Sequence, residues 1–155
     1  MSSQDKLLGD YIITTDREKL DVAAIHRYLS EESYWAKGIP FQTVQRSYDN
    51  SFVIGALHEG EQVGFARVVT DYATFGYLAD VYVLPEHRGK GLSKEMMTVL
   101  MAEPWVAGLR RFTLATWDAH GLYAQFGFAL AGRPDRLMEI IRPDLYSQST
   151  SSTSE

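Results

Sequence analysis

Cysteine is absent from all 155 residues, which removes disulfides, thiolate–metal centres and any cysteine nucleophile. Acyl transfer through a covalent cysteine intermediate is closed to this chain. No stretch approaches the roughly 20 apolar residues that span a bilayer. Met1 to Asp10 lacks the charged-then-apolar order of a signal peptide, so a cytoplasmic location and no membrane association are expected. Positive charge is short as well, with 15 Lys and Arg against 20 Asp and Glu and a formal charge of −5. Phosphate neutralisation needs clustered cations, so nucleic acid is not an expected partner. A small cationic substrate suits this balance better.

What remains is ordinary for a globular domain: 45% apolar and 23% charged residues. The length favours one domain, expected over residues 1–146. The Ser/Thr-rich tail 147–155 reads as disordered. No internal repeat is visible.

Tyr11–Thr14 reads as a first strand. Asp21 can cap a helix to about Ser30, with Val22, Ala24, Ile25, Tyr28 and Leu29 as its apolar stripe. Residues 33–38 read as a loop closed by Gly38, and Pro40 suits the start of a second helix to about Ser47. Two strands, 51–57 and 62–71, flank the hairpin signal Glu59-Gly60-Glu61. The run 77–84 is apolar enough for a buried central strand, ended by Pro85. Leu92, Met96 and Leu100 share one face of a helix to about Glu103. Arg111–Thr116 reads as a strand, Asp118 as the cap of a helix to Phe126 stopped by Gly127, and 137–141 as a last strand. The order predicts an α/β (α+β) fold with a mixed sheet.

The most informative stretch joins the central strand to the next helix through Arg88-Gly89-Lys90-Gly91. A helix start presents unpaired N–H groups and a positive dipole end, which favour an anion. Gly89 and Gly91 lack side chains that would keep a phosphate from the backbone. Hydrogen bonds to a charged group contribute about 1.5–3 kcal/mol each. Converging amides should therefore outweigh an exposed Arg88 or Lys90, worth about 0–1 kcal/mol. A Walker loop is excluded by spacing, and the dinucleotide fingerprint would need glycine where Lys94 stands. Gly-Lys-Gly alone is equally compatible with a loop that merely turns the chain into a helix.

The whole segment Val81-Tyr82-Val83-Leu84-Pro85-Glu86-His87-Arg88-Gly89-Lys90-Gly91-Leu92-Ser93 resembles the acetyl-CoA motif of the GNAT superfamily, the GCN5-related N-acetyltransferases. Its [QR]-x-x-G-x-[GA] pattern is met by Arg88 and Gly91, with Ser93 where Gly or Ala is usual. A second segment, Leu122-Tyr123-Ala124-Gln125-Phe126-Gly127-Phe128, resembles the family's L-Y-x-x-x-G-F. The resemblance covers about residues 11 to 142. It implies a mostly antiparallel sheet flanked by helices and acetyl-CoA as cosubstrate, with no metal. It also implies that the strand at Val81, Tyr82 and Val83 splays from its neighbour to pair with the pantetheine arm. The N–H near Val83 would face the thioester carbonyl as an oxyanion-hole donor, while Arg88, Gly89, Lys90, Gly91, Leu92 and Ser93 would wrap the pyrophosphate. Similar proteins are commonly dimers, so a homodimer is left open, although no interface signal stands out in the sequence.

Tyr123 occupies the family's general-acid position. A leaving thiolate with a pKa near 8.5 would take a proton from a phenol at roughly 10. The competing role for Tyr123 is an aromatic packed on the sheet. An amine acceptor must also lose a proton, at a cost of roughly 4.6 kcal/mol for a lysine-like pKa at pH 7. Asp80, a carboxylate within an apolar strand, is the candidate base; a hydrogen-bonded structural role competes. His120 lies one helical turn before Tyr123 and either points to the same region or is an exposed helix residue. Tyr34 and Trp35 are the expected substrate wall, since aromatic faces attract ammonium by roughly 0.5–2 kcal/mol; core packing is the alternative. Asp71 and Tyr72, at the end of a strand, are expected to contribute an acidic rim to the substrate site. Trp105 and Trp117 read as packing residues.

Three functions follow: an N-acetyltransferase for a small, amino-acid-like amine, a protein or peptide acetyltransferase for lysine or an N-terminus, and a silent acyl-CoA sensor. Tyr123 and both glycines favour an enzyme.

Overall fold

A computed structural model of the protein describes residues 5–147. One six-stranded sheet runs in chain order: β1 (Asp5–Leu8), β2 (Tyr11–Thr14), β3 (Phe52–His58), β4 (Glu61–Thr70), β5 (Phe75–Val83) and β6 (Arg111–Leu114). Every neighbouring pair is antiparallel except β5 and β6, which are parallel. The helices are α1 (Val22–Glu31), α2 (Phe41–Asp49), α3 (Leu92–Met101) and α4 (His120–Ala124). This is the mixed, mostly antiparallel α/β architecture expected.

Local chemistry fixes the helix starts. The Asp21 carboxylate accepts from the Ala23 N–H at 3.0 Å, opening α1, and satisfies a donor that the helix cannot. Pro40 stands just before α2, where its missing N–H costs nothing. Leu92, Met96 and Leu100 are all buried along α3, joined by Met97.

The sheet carries a core on each face. Ile13, Ile54, Val68 and Leu78 pack with α3 on one side. Val53, Phe65 and Tyr82 pack with α1 and α2 on the other. Neighbours such as Val53 and Ile54 thus serve opposite cores, as the two-residue period of a strand requires.

That period breaks once in β5. Tyr82 pairs with Phe65 but Ala79 with Arg67, so two residues of β5 face one of β4. Asp80 sits at this bulge with φ +56°, a left-handed conformation that Asp tolerates better than most residues. The extra residue swaps the two faces of the strand beyond it. Leu78 and Val81, three apart, consequently contribute to the same core.

The structure corrects several expectations. Residues 5–8 form a strand that was not anticipated, paired to β2 from Asp5↔Thr14 to Leu8↔Tyr11. Asp118 does not cap α4; the N-cap residue Ala119 has no side-chain cap, and its N–H donates to Thr116 Oγ1 at 3.0 Å. Residues 137–141 join no ladder. Of the Ser/Thr-rich tail, 148–155 lie outside the described residues.

Candidate functional site

The parallel seam between β5 and β6 is short. It runs only from Phe75↔Arg111 to Leu78↔Leu114, so Ala79–Val83 has no ladder partner on that side among the described residues. Unpaired backbone in a sheet is a template for an extended, amide-bearing molecule. The other edge of the same stretch stays fastened, with Gly64↔Val83 and the Leu84 N–H on Val63 O at 2.8 Å.

At the seam's mouth is a cleft of about 230 Å³ lined by Val83, His87, Arg88, Gly89, Gly91, Leu92, Ser93, Lys94 and Leu122. Gly89 (φ +77°) and Gly91 (φ +82°) turn the chain into α3. A Cβ at either would meet no neighbour within 4 Å and would project into open space. The loop is braced from behind. Tyr11 Oη and His87 Nδ1 lie 2.9 Å apart, and Arg88 donates from Nε to Val83 O at 2.8 Å and from a terminal nitrogen to Tyr28 Oη at 3.2 Å. Arg88 therefore also ties the loop to the strand end and to α1.

Some expected cofactor contacts lie elsewhere. Tyr82 points to the opposite core, stacked on Tyr28 with centroids 3.9 Å apart, so its side chain lies away from the seam. Lys90 is exposed and does not line the cleft. It helps His58, the larger influence, hold the Asp10 carboxyl below its ordinary value. Lys94, one turn into α3, faces the cleft instead. Sequence reasoning missed His87, Lys94 and Leu122; the helical period could have placed Lys94 beside Gly91.

Leu122 brings α4 to the cleft's far side. Tyr123, next to it, is buried and packs edge-on against Phe128 at 6.1 Å. Burial pushes its phenol pKa up. Its hydroxyl has no hydrogen-bond partner among the described residues. Gly127 (φ +96°) ends the turn and lets Phe128 reach Phe112 at 5.2 Å. His120 is exposed at the start of α4.

Asp80 has both carboxylate oxygens engaged. Trp35 Nε1 donates to one at 2.8 Å, and Arg67 Nε to the other at 2.6 Å, while Arg67 also reaches Ser51 Oγ at 3.2 Å. The Trp35 contact brings the 33–38 loop onto the bulge. Tyr34 meets Trp35 at 5.1 Å and Trp117 at 6.0 Å, both edge-on. Trp117 is 80% exposed, so it is not the packing residue expected; it completes a three-ring wall reaching from Asp80 to the segment after β6. Trp105 does pack, against Phe52 at 5.1 Å and Tyr72 at 5.0 Å.

Asp71 and Tyr72 are not brought to this wall. Asp71 holds the β4–β5 turn, accepting from the Thr74 hydroxyl at 2.6 Å and from the N–H groups of Ala73, Thr74 and Phe75. Those bonds hold its carboxyl far below the usual range, the Thr74 hydroxyl foremost. Tyr72 is occupied by Trp105. The turn lies at the other end of β5 from the cleft, the geometric reason that a strand-end rim does not form here.

The matching family model and the relatives place the chain among the acyltransferases. The chain belongs to the Acetyltransferase (GNAT) family, which it matches over residues 22–128; it is an acetyltransferase. A Gibberella zeae protein described as an acetyltransferase is 35% identical over 138 residues, covering 76% of this chain and 77% of its own. A solved GNAT-family structure from Xanthomonas campestris pv. campestris is 53% identical, with TM-score 0.87, over 91% of this chain and 99% of that one. A Clostridium acetobutylicum structure with acetyl-CoA shares the fold at TM-score 0.60 and 18% identity, over 84% and 94% of the two chains. Among the described residues no helix is long and apolar enough to cross a membrane.

Proposed function

We propose that this acetyltransferase moves an acetyl group from acetyl-CoA directly to a primary amine of a small, amino-acid-like molecule. The observation that carries this reading is the aromatic wall of Tyr34, Trp35 and Trp117 standing beside the opened strand at Asp80. Three ring faces at one end of the seam suit an ammonium group, at roughly 0.5–2 kcal/mol per favourable contact. The family uses acetyl-CoA, and the residues here fit it. The free edge of Ala79–Val83 offers backbone partners to the pantetheine amides, and the amides at Gly89–Ser93 suit the pyrophosphate. Ser93 is half-buried in the cleft wall, small enough to stand for the usual Gly or Ala.

When bound, the cosubstrate supplies the activated acyl group; the chain's residues do the rest. The backbone N–H near Val83 donates to the thioester oxygen, where negative charge develops. Tyr123 gives its phenolic proton to the departing sulfur. Asp80 positions Trp35 rather than acting as base, since its two oxygens are already committed to the Trp35 and Arg67 donors. The amine's proton leaves by water, with His120, exposed at the start of α4, as the candidate relay.

Asp80 can be tested by comparing two substitutions. Asp80→Asn keeps an acceptor for Trp35 and tolerates positive φ, so kcat should stay within about threefold. Asp80→Ala should raise KM for the amine by about tenfold. An equal hundredfold loss of kcat in both variants would instead make Asp80 the base.

Release of free thiol from acetyl-CoA, followed across a panel of amines, amino acids, lysine peptides and N-terminal peptides, tests the substrate class. Turnover confined to small amines is expected, with Trp117→Ala and Tyr34→Ala raising KM. Turnover of peptides alone would make the protein a peptide acetyltransferase. CoA binding without release for any acceptor would make it a sensor.

A further inference from the structure

Among the described residues no carboxylate lines the cleft at the start of α3, whereas His87, Arg88 and Lys94 all do. Arg88 is already engaged, donating to Val83 O and Tyr28 Oη. His87 is held differently. Its Nδ1 lies 2.9 Å from Tyr11 Oη, and its Nε2 has no hydrogen-bond partner among the described residues. A half-buried imidazole in the wall of an anion-binding cleft, with one nitrogen fastened and the other unspent, is equipped to donate to a phosphate.

The fastening comes from the sheet. Tyr11 on β2 stands directly opposite His58 on β3, and their rings meet at 4.7 Å. His87 joins both, edge-on to Tyr11 at 5.7 Å and 5.2 Å from His58. Tyr11 is buried in the α3-side core, so its hydroxyl offers a fixed point. That hydroxyl can either donate or accept. It donates to Nδ1 of a neutral ring whose proton sits on Nε2, and it accepts from the Nδ1–H of an imidazolium. The contact therefore survives a change of charge, and Nε2–H is offered to the cleft in both states.

The charges around the ring are mostly positive. Arg88 adjoins it in the loop and Lys94 faces the cleft from α3. His58 lies beside it, with Asp10 Oδ2 at 3.2 Å from the His58 Nε2 and Lys90 acting on that carboxyl. Glu86, next in sequence, lines a separate cavity on the α1 side. An anion entering the cleft adds the missing opposite charge on the Nε2 side, which favours the imidazolium.

We propose that His87 binds the pyrophosphate of the cosubstrate, donating from Nε2 and taking one solvent proton onto Nδ1 as the anion arrives. Tyr11 is its positioning residue. The inference rests on the cleft being the CoA site and is independent of the amine and of the roles of Tyr123 and Asp80. A ring that only braced the loop would take up no proton when CoA binds.

The test is calorimetric titration with dephospho-CoA, which lacks the 3′-phosphate and so has no phosphomonoester ionising near pH 6. Runs at pH 7 in two buffers of different ionisation enthalpy read the protons exchanged. Uptake of a fraction of one proton is expected, with affinity about fivefold greater at pH 6 than at pH 8. His87→Gln should abolish both, and His58→Gln should keep both. Binding with no proton uptake by the unmodified protein, or uptake that His87→Gln retains, would overturn the assignment while leaving the cleft as the CoA site. No binding of CoA or dephospho-CoA at all would overturn both. If His87→Gln fails to fold, proton uptake by the unmodified protein and by His58→Gln still decides.

Discussion

Tyr123→Phe is expected to lower kcat by about a hundredfold while leaving the dissociation constant for CoA within about twofold. The phenol lies in the α3-side core with its ring on Phe128, and phenylalanine keeps that packing. Only the proton is lost. Burial raises the Tyr123 pKa, so the hydroxyl remains protonated across the neutral range, as an acid must. A group whose folded pKa lies above its unfolded value of about 10 contributes fully to stability below that value, and the contribution fades as pH rises through the folded pKa. Activity should carry an alkaline limb above about pH 10, and the Phe variant should lack it. Steady-state rates over pH, with calorimetry for CoA, check both. Full turnover in the Phe variant would return Tyr123 to a packing role.

Gly91→Val should weaken CoA binding by about tenfold to a hundredfold, against less than about threefold for Lys90→Ala. Gly91 precedes α3 with φ +82°, where a β-branched side chain costs about 1–3 kcal/mol. No atom of the described residues lies within 4 Å of a Cβ built there, so the added atoms enter the space that an anion would take. Lys90 lies off the cleft and should be nearly silent; Lys94→Ala should fall between the two. Melting temperatures measured alongside separate a folding defect from a binding defect. Equal effects at Gly91 and Lys90 would mean that side-chain charge, not the main-chain amides, holds the cosubstrate.

The elements whose signals are local were legible from residues alone. Asp21 and Pro40 mark helix starts by their hydrogen-bonding chemistry, and the spacing of Leu92, Met96 and Leu100 gives the buried face of α3. The turn into α3 was legible because its glycines are demanded by backbone conformation. Features set by distant partners were not. The bulge at Asp80 depends on β4, and a carboxylate in an apolar strand looks the same whether it is a free base or the partner of Arg67 and Trp35. Trp117 reads as a core residue by type, yet its neighbour Tyr34 comes from a loop some eighty residues away. Strand β1, four residues with two charges, exists because β2 offers it an edge. The segment 137–141 has a strand's composition but joins no ladder among the described residues.

The bulge also sets a rule for anyone redesigning this protein. Past Asp80, inward and outward are assigned by counting residues, so removing one position would send Val81 and Val83 into the layer now filled by Tyr82 and carry the tyrosine across in exchange. Libraries built on this stretch can vary its side chains widely, but its tally of residues should be left untouched.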